Sequence, residues 1–507
     1  MVTIPTIVVA APASGSGKTT VTTGLIGALR AAGHTVAPFK VGPDFIDPGY
    51  HAVAAGRPGR NLDPNLVGTD LVAQLFTAGA AGADIAVVEG VMGLFDGRIR
   101  SDSTGSAVDE ADAIACGSTA HVAALIGAPV VLVVDGSGHS QSLAAVLHGF
   151  LTYDTSVRIA GVILNRVGSA RHEQVLRHAC TRVGLPVLGV LRRDPSLAVP
   201  SRHLGLIPAA ERSADAVAAV DAMSAGVAAA LDIPGIMAAA SERMPLTAAA
   251  WSAADVLAAE TPETPGASDT PDTRAPGPGA APVIAVAGGP AFTFCYTELG
   301  ELLVAAGARV AVFDPLTDTL PEETAGVIIG GGFPEEHADQ LSANEPLRHQ
   351  LARHAVSGGP IWAECAGLLY LTRELDGYPM AGVIDAVGRF SPTLTLGYRD
   401  AIAVAGSVLF RVGERVTGHE FHRSVVVDDH PGEAPAWMWR DGTGRPSGHG
   451  HASREVHASY LHVHPAGHPA AVARFVTAAA AFGGSDGSRG AAAAALMPVD
   501  REGNAAS

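Results

Sequence analysis

Ser14-Gly15-Ser16-Gly17-Lys18-Thr19-Thr20 follows an apolar run at residues 4–9 and precedes a helical pattern at residues 21–32. Strand, glycine-rich turn and helix in that order make a phosphate cradle. The glycines let backbone N–H groups turn toward a polyphosphate, and the helix N-terminus adds a favourable dipole. In this reading Lys18 reaches the terminal phosphates and Thr19 holds Mg2+ through its hydroxyl, while Ser14, Gly15, Ser16, Gly17 and Thr20 complete the loop. The strict pattern G-x-x-x-x-G-K-[ST] is not met, because Pro12 stands where its first glycine falls. The strand and helix on either side carry the assignment instead.

Outward from this loop, short β-rich runs alternate with longer Ala- and Leu-rich stretches. The runs are 4–9, 36–41, 85–89, 130–135, 159–165 and 187–191. Such alternation predicts a parallel sheet covered by helices, with ligands beyond the carboxyl ends of the strands. Chemistry-bearing residues fall at those ends. The second run leads into Lys40-Val-Gly-Pro-Asp44-Phe-Ile-Asp47-Pro-Gly-Tyr-His51, a loop forced by two Pro and two Gly. The third ends in Glu89, a Walker-B-type carboxylate, and continues to Asp96. Mg2+ needs one or two carboxylates beside phosphate oxygens and water, and Asp44, Asp47, Glu89 and Asp96 are the candidates for that and for positioning a nucleophile. The competing fate of an Asp beside Pro and Gly is to cap a turn. Asn165 closes another run, where its amide suits an adenine edge.

The chain has 507 residues, is 48% hydrophobic and carries a net charge of −17 spread along its length. That length holds two or three full cores. The charge argues against nucleic acid or an anionic membrane surface as partner. Four cysteines lie far apart, which disfavours a disulfide framework or a cysteine zinc site. With no cleavable leader and no apolar run of bilayer length, the expected place is the cytoplasm. Residues 251–282 are dominated at their centre by Pro, Gly, Thr and Asp and read as a disordered linker. The expected division is a nucleotide-binding domain over 1–250, that linker, a second α/β domain over 283–482 and a flexible tail over 483–507. A homodimer is compatible with this reading without being required by it.

The second alternating series runs through 283–287, 309–313, 327–329 and 361–364. Its last member enters Glu364-Cys365-Ala366-Gly367, then a helix-like run. A cysteine on a strand–turn–helix elbow is presented for attack, and the helix N-terminus favours thiolate. Gly330-Gly331-Gly332 ends another strand and offers N–H groups to an oxyanion. For a base, His462 in Ser459-Tyr-Leu-His462-Val-His464 is the choice, with His464 packed against it. His419-Glu420-Phe421-His422 has the wrong spacing for a zinc helix and reads as a structural or substrate-facing loop.

These segments together resemble the cobyrinate or hydrogenobyrinate a,c-diamide synthases of cobalamin biosynthesis. The resemblance rests on 14–20, 40–51, 89–97, 201–208, 330–335, 363–371, 418–424 and 457–464, with V-G-P-D-x-I-D-P the most specific. It implies a P-loop domain of the dethiobiotin-synthetase type followed by a class I glutamine amidotransferase domain. It further implies ATP and Mg2+ as cofactors, with glutamine and a tetrapyrrole-derived polycarboxylate as substrates. Cys365 becomes the glutaminase nucleophile and His462 its base. Thr19, Asp44, Asp47, Glu89 and Asp96 serve ATP, Mg2+ and carboxylate activation, and Asn165 contacts adenine. The implied reaction is ATP-dependent amidation of the a- and c-acetate carboxylates of hydrogenobyrinate. Cobyrinate or another polycarboxylate macrocycle as substrate, or a partition-type ATPase with a silent amidotransferase domain, are the alternatives. Ala366 stands where the family has Gly, Ala287-Gly288-Gly289 replaces A-R-D, and Leu299 replaces Asn. His464 stands where triad amidotransferases carry Glu, so the expectation is a Cys–His dyad.

Overall fold

β1 (Thr6–Ala10) is buried along its whole length, as a central strand covered on both faces must be. It pairs in parallel with β4 (Ile85–Glu89) on one side and β5 (Val130–Asp135) on the other. With β2 (Val36–Val41), β3 (Arg60–Leu62), β6 (Ile159–Val167) and β7 (Val187–Arg192) they form a seven-stranded parallel sheet, ordered β3-β2-β4-β1-β5-β6-β7. Every strand expected in the first half is present; the three-residue β3 and a separate two-stranded pair, Ser201–Arg202 with Gly205–Leu206, were unread. α1 (Lys18–Ala31) starts at the glycine-rich loop, and α2 (Ile46–Ala55) follows β2. This structure is a computed structural model that describes residues 4–99, 114–194, 201–202, 205–206, 213–260, 281–428 and 434–495.

The second half builds a six-stranded sheet in the order Arg309–Phe313, Val283–Ala287, Thr324–Ile329, Ile361–Glu364, Val456–Ser459, His451–Ala452. All its pairings are parallel except the last. A further, mostly antiparallel sheet is built on the hairpin of Ala386–Ala403 with Arg415–Asp428, extended by Trp437–Arg440 and Pro446–His449. That sheet was not expected. It also corrects one placement: His419, Glu420 and His422 lie on its second long strand, not on a loop.

Two boundaries differ from expectation. Within the segment read as a disordered linker, Ala253–Glu260 is a helix. Trp251 just before it is buried, and its backbone N–H donates to the Gln74 carbonyl at 3.0 Å. A large indole left in water forfeits the burial that drives the chain onto the domain. The rest of that segment, 261–280, lies outside the described residues, as do parts of 201–208. The expected tail is helical in its first part, because the helix Pro469–Ala495 passes residue 483; residues 496–507 lie outside the description.

One apolar cluster runs unbroken from the first sheet to the second. It joins Val8, Leu66, Val67 and Trp251 to Val286, Leu302 and Phe475. The two halves are therefore docked through a shared core as well as through polar contacts.

Candidate active site

The glycine-rich loop turns as its residues require. Gly15 and Gly17 have φ of 78° and 95°, a region that costs residues with a Cβ. A Cβ on Gly17 would also lie 2.2 Å from the Asn165 amide nitrogen. That amide donates to the Ser16 carbonyl at 2.9 Å, so Asn165 fastens the loop from below. The Ser16 hydroxyl donates to the Ala13 carbonyl, and Lys18 Nζ donates to the Met92 carbonyl. Burial and the neighbouring Lys40 charge push the Lys18 ammonium below its usual range.

Lys40 organises the carboxylates. It is buried at the end of β2, and its Nζ donates to Asp47 Oδ2 at 2.6 Å, Glu89 Oε1 at 3.0 Å and the Gly90 carbonyl at 3.2 Å. Asp44 Oδ2 lies 3.7 Å away. On the far side of Glu89, Oε2 sits 2.6 Å from His51 Nε2. The Thr19 hydroxyl donates to Glu89 Oε1 at 2.8 Å and lies 3.3 Å from Asp47 Oδ2. Burial opposes charge on Glu89, but Lys40 and His51 hold its carboxyl well below the usual range. Burial, with Asp44 and Glu89 close by, pushes Asp47 well above it. Three carboxylates around one ammonium leave a surplus of negative charge that a hard cation would relieve. Thr19, Asp47 and Glu89 thus suit Mg2+ by donor type and convergence. Among the described residues no cluster of three or more His, Cys, Asp or Glu forms a ready metal cage. An ion there would rest mainly on phosphate oxygens and water, as Mg2+ prefers. Asp44 also caps α2, accepting from the Ile46 and Asp47 N–H groups at 2.8 and 3.3 Å. Asp96 is exposed and accepts from Gly93 N–H at 2.9 Å, with Lys18 within electrostatic reach.

Cys365 sits at a strained elbow. Its φ of 50° and ψ of −100° end the strand Ile361–Glu364 and open the helix Ala366–Leu371. Such strain costs on the order of 1–3 kcal/mol and persists where surrounding contacts enforce it. Here the Cys365 N–H donates to the Ser459 carbonyl at 2.8 Å and the Gly367 N–H to the Gly330 carbonyl at 3.1 Å. Ala366 begins a helix with right-handed φ, so the methyl in place of the family's Gly fits without strain. His462 is buried, and the Cys365 side chain is close enough to act on its charge. Burial alone would lower its pKa, but the Cys365 and Glu364 side chains raise it to about 10. Gly331 allows this approach: a Cβ there would lie 2.6 Å from His462 Cε1. His464 is not packed on His462. Its ring lies 4.1 Å from that of Tyr296, and its Nδ1 accepts from Ala466 N–H.

The two sites meet at Phe45, the residue between Asp44 and Ile46. Its ring stacks 4.9 Å from Phe294 and lies 5.3 Å from the imidazole of His462. Beside this contact opens a cleft of about 1950 Å³ lined from both halves, including Asp44, Met92 and Arg98 on one side and Arg399, Arg415 and Arg440 on the other. His419 also lines it and is tied to His462 by two reciprocal backbone hydrogen bonds of 2.9 Å. Arg399 pairs with Glu420 at 2.7 Å, and Arg98 with Asp400 at 2.7 Å.

Lys40, His51, Phe45 and Glu364 belong to these sites and were not singled out from sequence. For Lys40 a signal existed: a lysine inside an otherwise apolar strand needs carboxylates to be buried.

Residues 7–207 match the family described as the CobQ/CobB/MinD/ParA nucleotide binding domain, and residues 283–470 match the CobB/CobQ-like glutamine amidotransferase domain. The chain is 56% identical over 479 residues to the hydrogenobyrinate a,c-diamide synthase of Mycobacterium tuberculosis (strain ATCC 25618 / H37Rv), covering 94% of this chain and 98% of that one. It is 54% identical to the protein of the same name from Streptomyces coelicolor, covering 93% and 97%. A cobyrinate a,c-diamide synthase of Synechococcus is 38% identical, covering 93% and 98%.

Proposed function

The chain belongs to the family of glutamine-hydrolysing hydrogenobyrinate and cobyrinate a,c-diamide synthases, and from that premise we propose how its two sites divide the work. Cys365 attacks the carboxamide of glutamine, and His462 passes the proton to the departing nitrogen. The bonds broken and formed are C–N and C–S; water then hydrolyses the thioester to glutamate and restores the thiol. At the Lys18–Lys40 site an acetate carboxylate of the ring takes the terminal phosphoryl group of ATP. Ammonia displaces phosphate from that acyl phosphate and leaves the amide, at one acetate arm and then another. Splitting the step in two replaces hydroxide, a poor leaving group, with phosphate.

Lys18, the loop amides and Lys40 bind and orient the phosphates. Thr19, Asp47 and Glu89 would hold Mg2+, which when bound supplies further neutralisation of phosphate charge. Asn165, whose amide already binds the Ser16 carbonyl and the Arg166 N–H, would meet the adenine through its second amide hydrogen. Asp44 and Asp96 border the place where the carboxylate is activated. The ring itself fits the cleft between the halves, where Arg98, Arg399, Arg415 and Arg440 match peripheral carboxylates and Leu396 and Met92 face its apolar surface.

The observation that carries the reading is the segment 44–47. Its Asp44 and Asp47 lie 3.7 and 2.6 Å from Lys40 Nζ, and its Phe45 ring lies 5.3 Å from the His462 imidazole, which supports that reading. Identities of 50–56% to hydrogenobyrinate enzymes, against 38–40% to cobyrinate enzymes, favour the metal-free ring. The test incubates purified enzyme with each ring, ATP, Mg2+ and glutamine and follows mass. Two successive amide additions are expected on hydrogenobyrinate. Cys365→Ala should lose glutamine-dependent turnover and keep ammonia-dependent synthesis; loss of both contradicts the division of labour.

A further inference from the structure

In triad amidotransferases a carboxylate two residues beyond the base holds its imidazole. Here that position is His464. Both residues lie beyond the strand Val456–Ser459, His462 in an isolated bridge with His419 and His464 capping the short turn Pro465–Gly467, and the place His464 occupies is already taken by the docking contacts of the two halves. His464 packs on Tyr296, and its Nε2 lies 3.9 Å from Glu298 Oε2, which in turn is bound by Arg60. A glutamate at 464 would face Glu298, charge against charge, in a fully buried site.

A carboxylate nevertheless reaches the base from another strand. Glu364 Oε2 lies 3.4 Å from His462 Nδ1. Its other oxygen, Oε1, accepts from Trp362 Nε1 at 3.0 Å, which fixes the carboxylate plane. Trp362 and Glu364 are two apart on the nucleophile strand and so share a face. Cys365 then leaves that strand through its left-handed φ of 50°, which swings the sulfur round to the imidazole. One short segment thus supplies both the nucleophile and the carboxylate on either side of His462.

We propose that Glu364 is the positioning residue of the glutaminase site: it holds His462 by Nδ1, so that Nε2 faces the Cys365 sulfur and the imidazolium is stabilised. This rests on the glutaminase assignment given above. The proton balance is simple. In the resting thiolate–imidazolium pair His462 already holds the thiol proton at Nε2; it gives that proton to the leaving nitrogen, while Nδ1 keeps its own proton toward Glu364.

The other groups around His462 do not supply this role. His419, on the cleft hairpin, is held neutral by burial, at a pKa of about 3. Tyr296 is pushed well above its usual range by burial and stays a neutral phenol. Cys295 lines the same small pocket as Glu364 and His462, with Phe45 and Phe294 as its apolar wall. Cys365 and Glu364 are the two groups whose charge favours the imidazolium.

Glu364→Gln keeps the shape and the Trp362 contact but removes the charge. Glutamate release, measured with ATP, Mg2+ and hydrogenobyrinate present, should show kcat lowered by about 100-fold with KM for glutamine within about threefold. The alkaline limb of its pH profile should move down toward neutrality, because the imidazolium loses a stabilising neighbour. Glu364→Asp should restore part of the rate, and ammonia-dependent amidation should stay at the wild-type level in both variants. Unchanged kcat and an unchanged limb in Glu364→Gln would overturn the proposal. So would an equal loss of ammonia-dependent amidation, which would assign Glu364 to folding alone. Cys365→Ala separates the two readings: if it keeps glutamate release, the glutaminase assignment has failed; if it abolishes release while Glu364→Gln leaves it intact, only the role of Glu364 has failed.

Discussion

Lys40 shows how one side chain can set the state of several others. It is a buried cation whose partners, Asp47, Glu89 and Asp44, are all carboxylates of the proposed phosphate site. Burial opposes its charge, yet those carboxylates hold it above the usual lysine range. Removing one member of such a buried set leaves uncompensated charge, at a cost of about 3–5 kcal/mol. Lys40→Met should therefore abolish amide synthesis with glutamine and with ammonia alike, and lower the melting temperature of the first domain. Near-normal ammonia-dependent turnover in this variant would remove Lys40 from the phosphate site. His462 gives a second expectation, in pH. Its pKa is raised from 6.5 to about 10, so its charge contributes stability that is fully present below about 6.5 and is lost as pH rises through about 10. The melting temperature of the wild type should fall over that window relative to His462→Asn, and parallel curves for the two proteins would contradict it.

At the level of elements, the parts legible in sequence were those whose signal is local. The P-loop, the six first-half strands and the Cys365 elbow each announce themselves within about ten residues, through apolar runs ended by glycine. What was not legible depends on pieces brought together from afar. Glu364 read as the last residue of a strand, since nothing local says that His462, almost a hundred positions on, lies beside it. Phe45 was not singled out, because its partner Phe294 belongs to the other half. The hairpin of Ala386–Ala403 and Arg415–Asp428 escaped because its strands carry Gly, Pro, Arg and His among the apolar residues, and much of its surface faces the cleft. The elbow also sets an expectation of its own. The Gly367 N–H bonds the Gly330 carbonyl, and a Cβ on Gly367 would lie 2.1 Å from the Ile329 carbonyl oxygen, which is backbone and cannot step aside. Gly367→Ala must push the helix off the sheet, at about 1–3 kcal/mol. Glutamate release should fall steeply while ammonia-dependent amidation persists. Retention of glutamate release would mean that the elbow tolerates a displaced helix.

Across the whole molecule, a chain of net charge −17 has to attract a polycarboxylate, so the attraction must be local. On the proposed reading the arginines of the cleft provide it, and the cleft lies between the two halves, so it depends on their docking. Docking is concentrated around β3. The Arg60 guanidinium binds Glu298 at 2.7 Å and also Glu301, Thr297 donates to the Gly59 carbonyl at 3.1 Å, and the Tyr398 hydroxyl donates to Asp63 Oδ2 at 2.8 Å. Arg60→Ala leaves the fully buried Glu298 without its cation, a loss of about 3–5 kcal/mol at the interface. The first effect should be on coupling. Ammonia made at Cys365 must reach the acyl phosphate before escaping, so glutamate released per amide formed should rise above the wild-type ratio. The defect should also depend on pH in a way that identifies its source. His464, 3.9 Å from Glu298, is kept neutral by burial and by the Arg60 charge, at a pKa of about 3. Without Arg60 that value rises, and as pH falls His464 takes up a proton and replaces the missing cation. Coupling in Arg60→Ala should therefore recover toward acid pH and be worst in alkali, whereas Arg60→Ala/His464→Gln should not recover. A ratio that stays at the wild-type value in Arg60→Ala, with stability lowered, would show that docking at β3 holds the halves together without governing the passage of nitrogen between them.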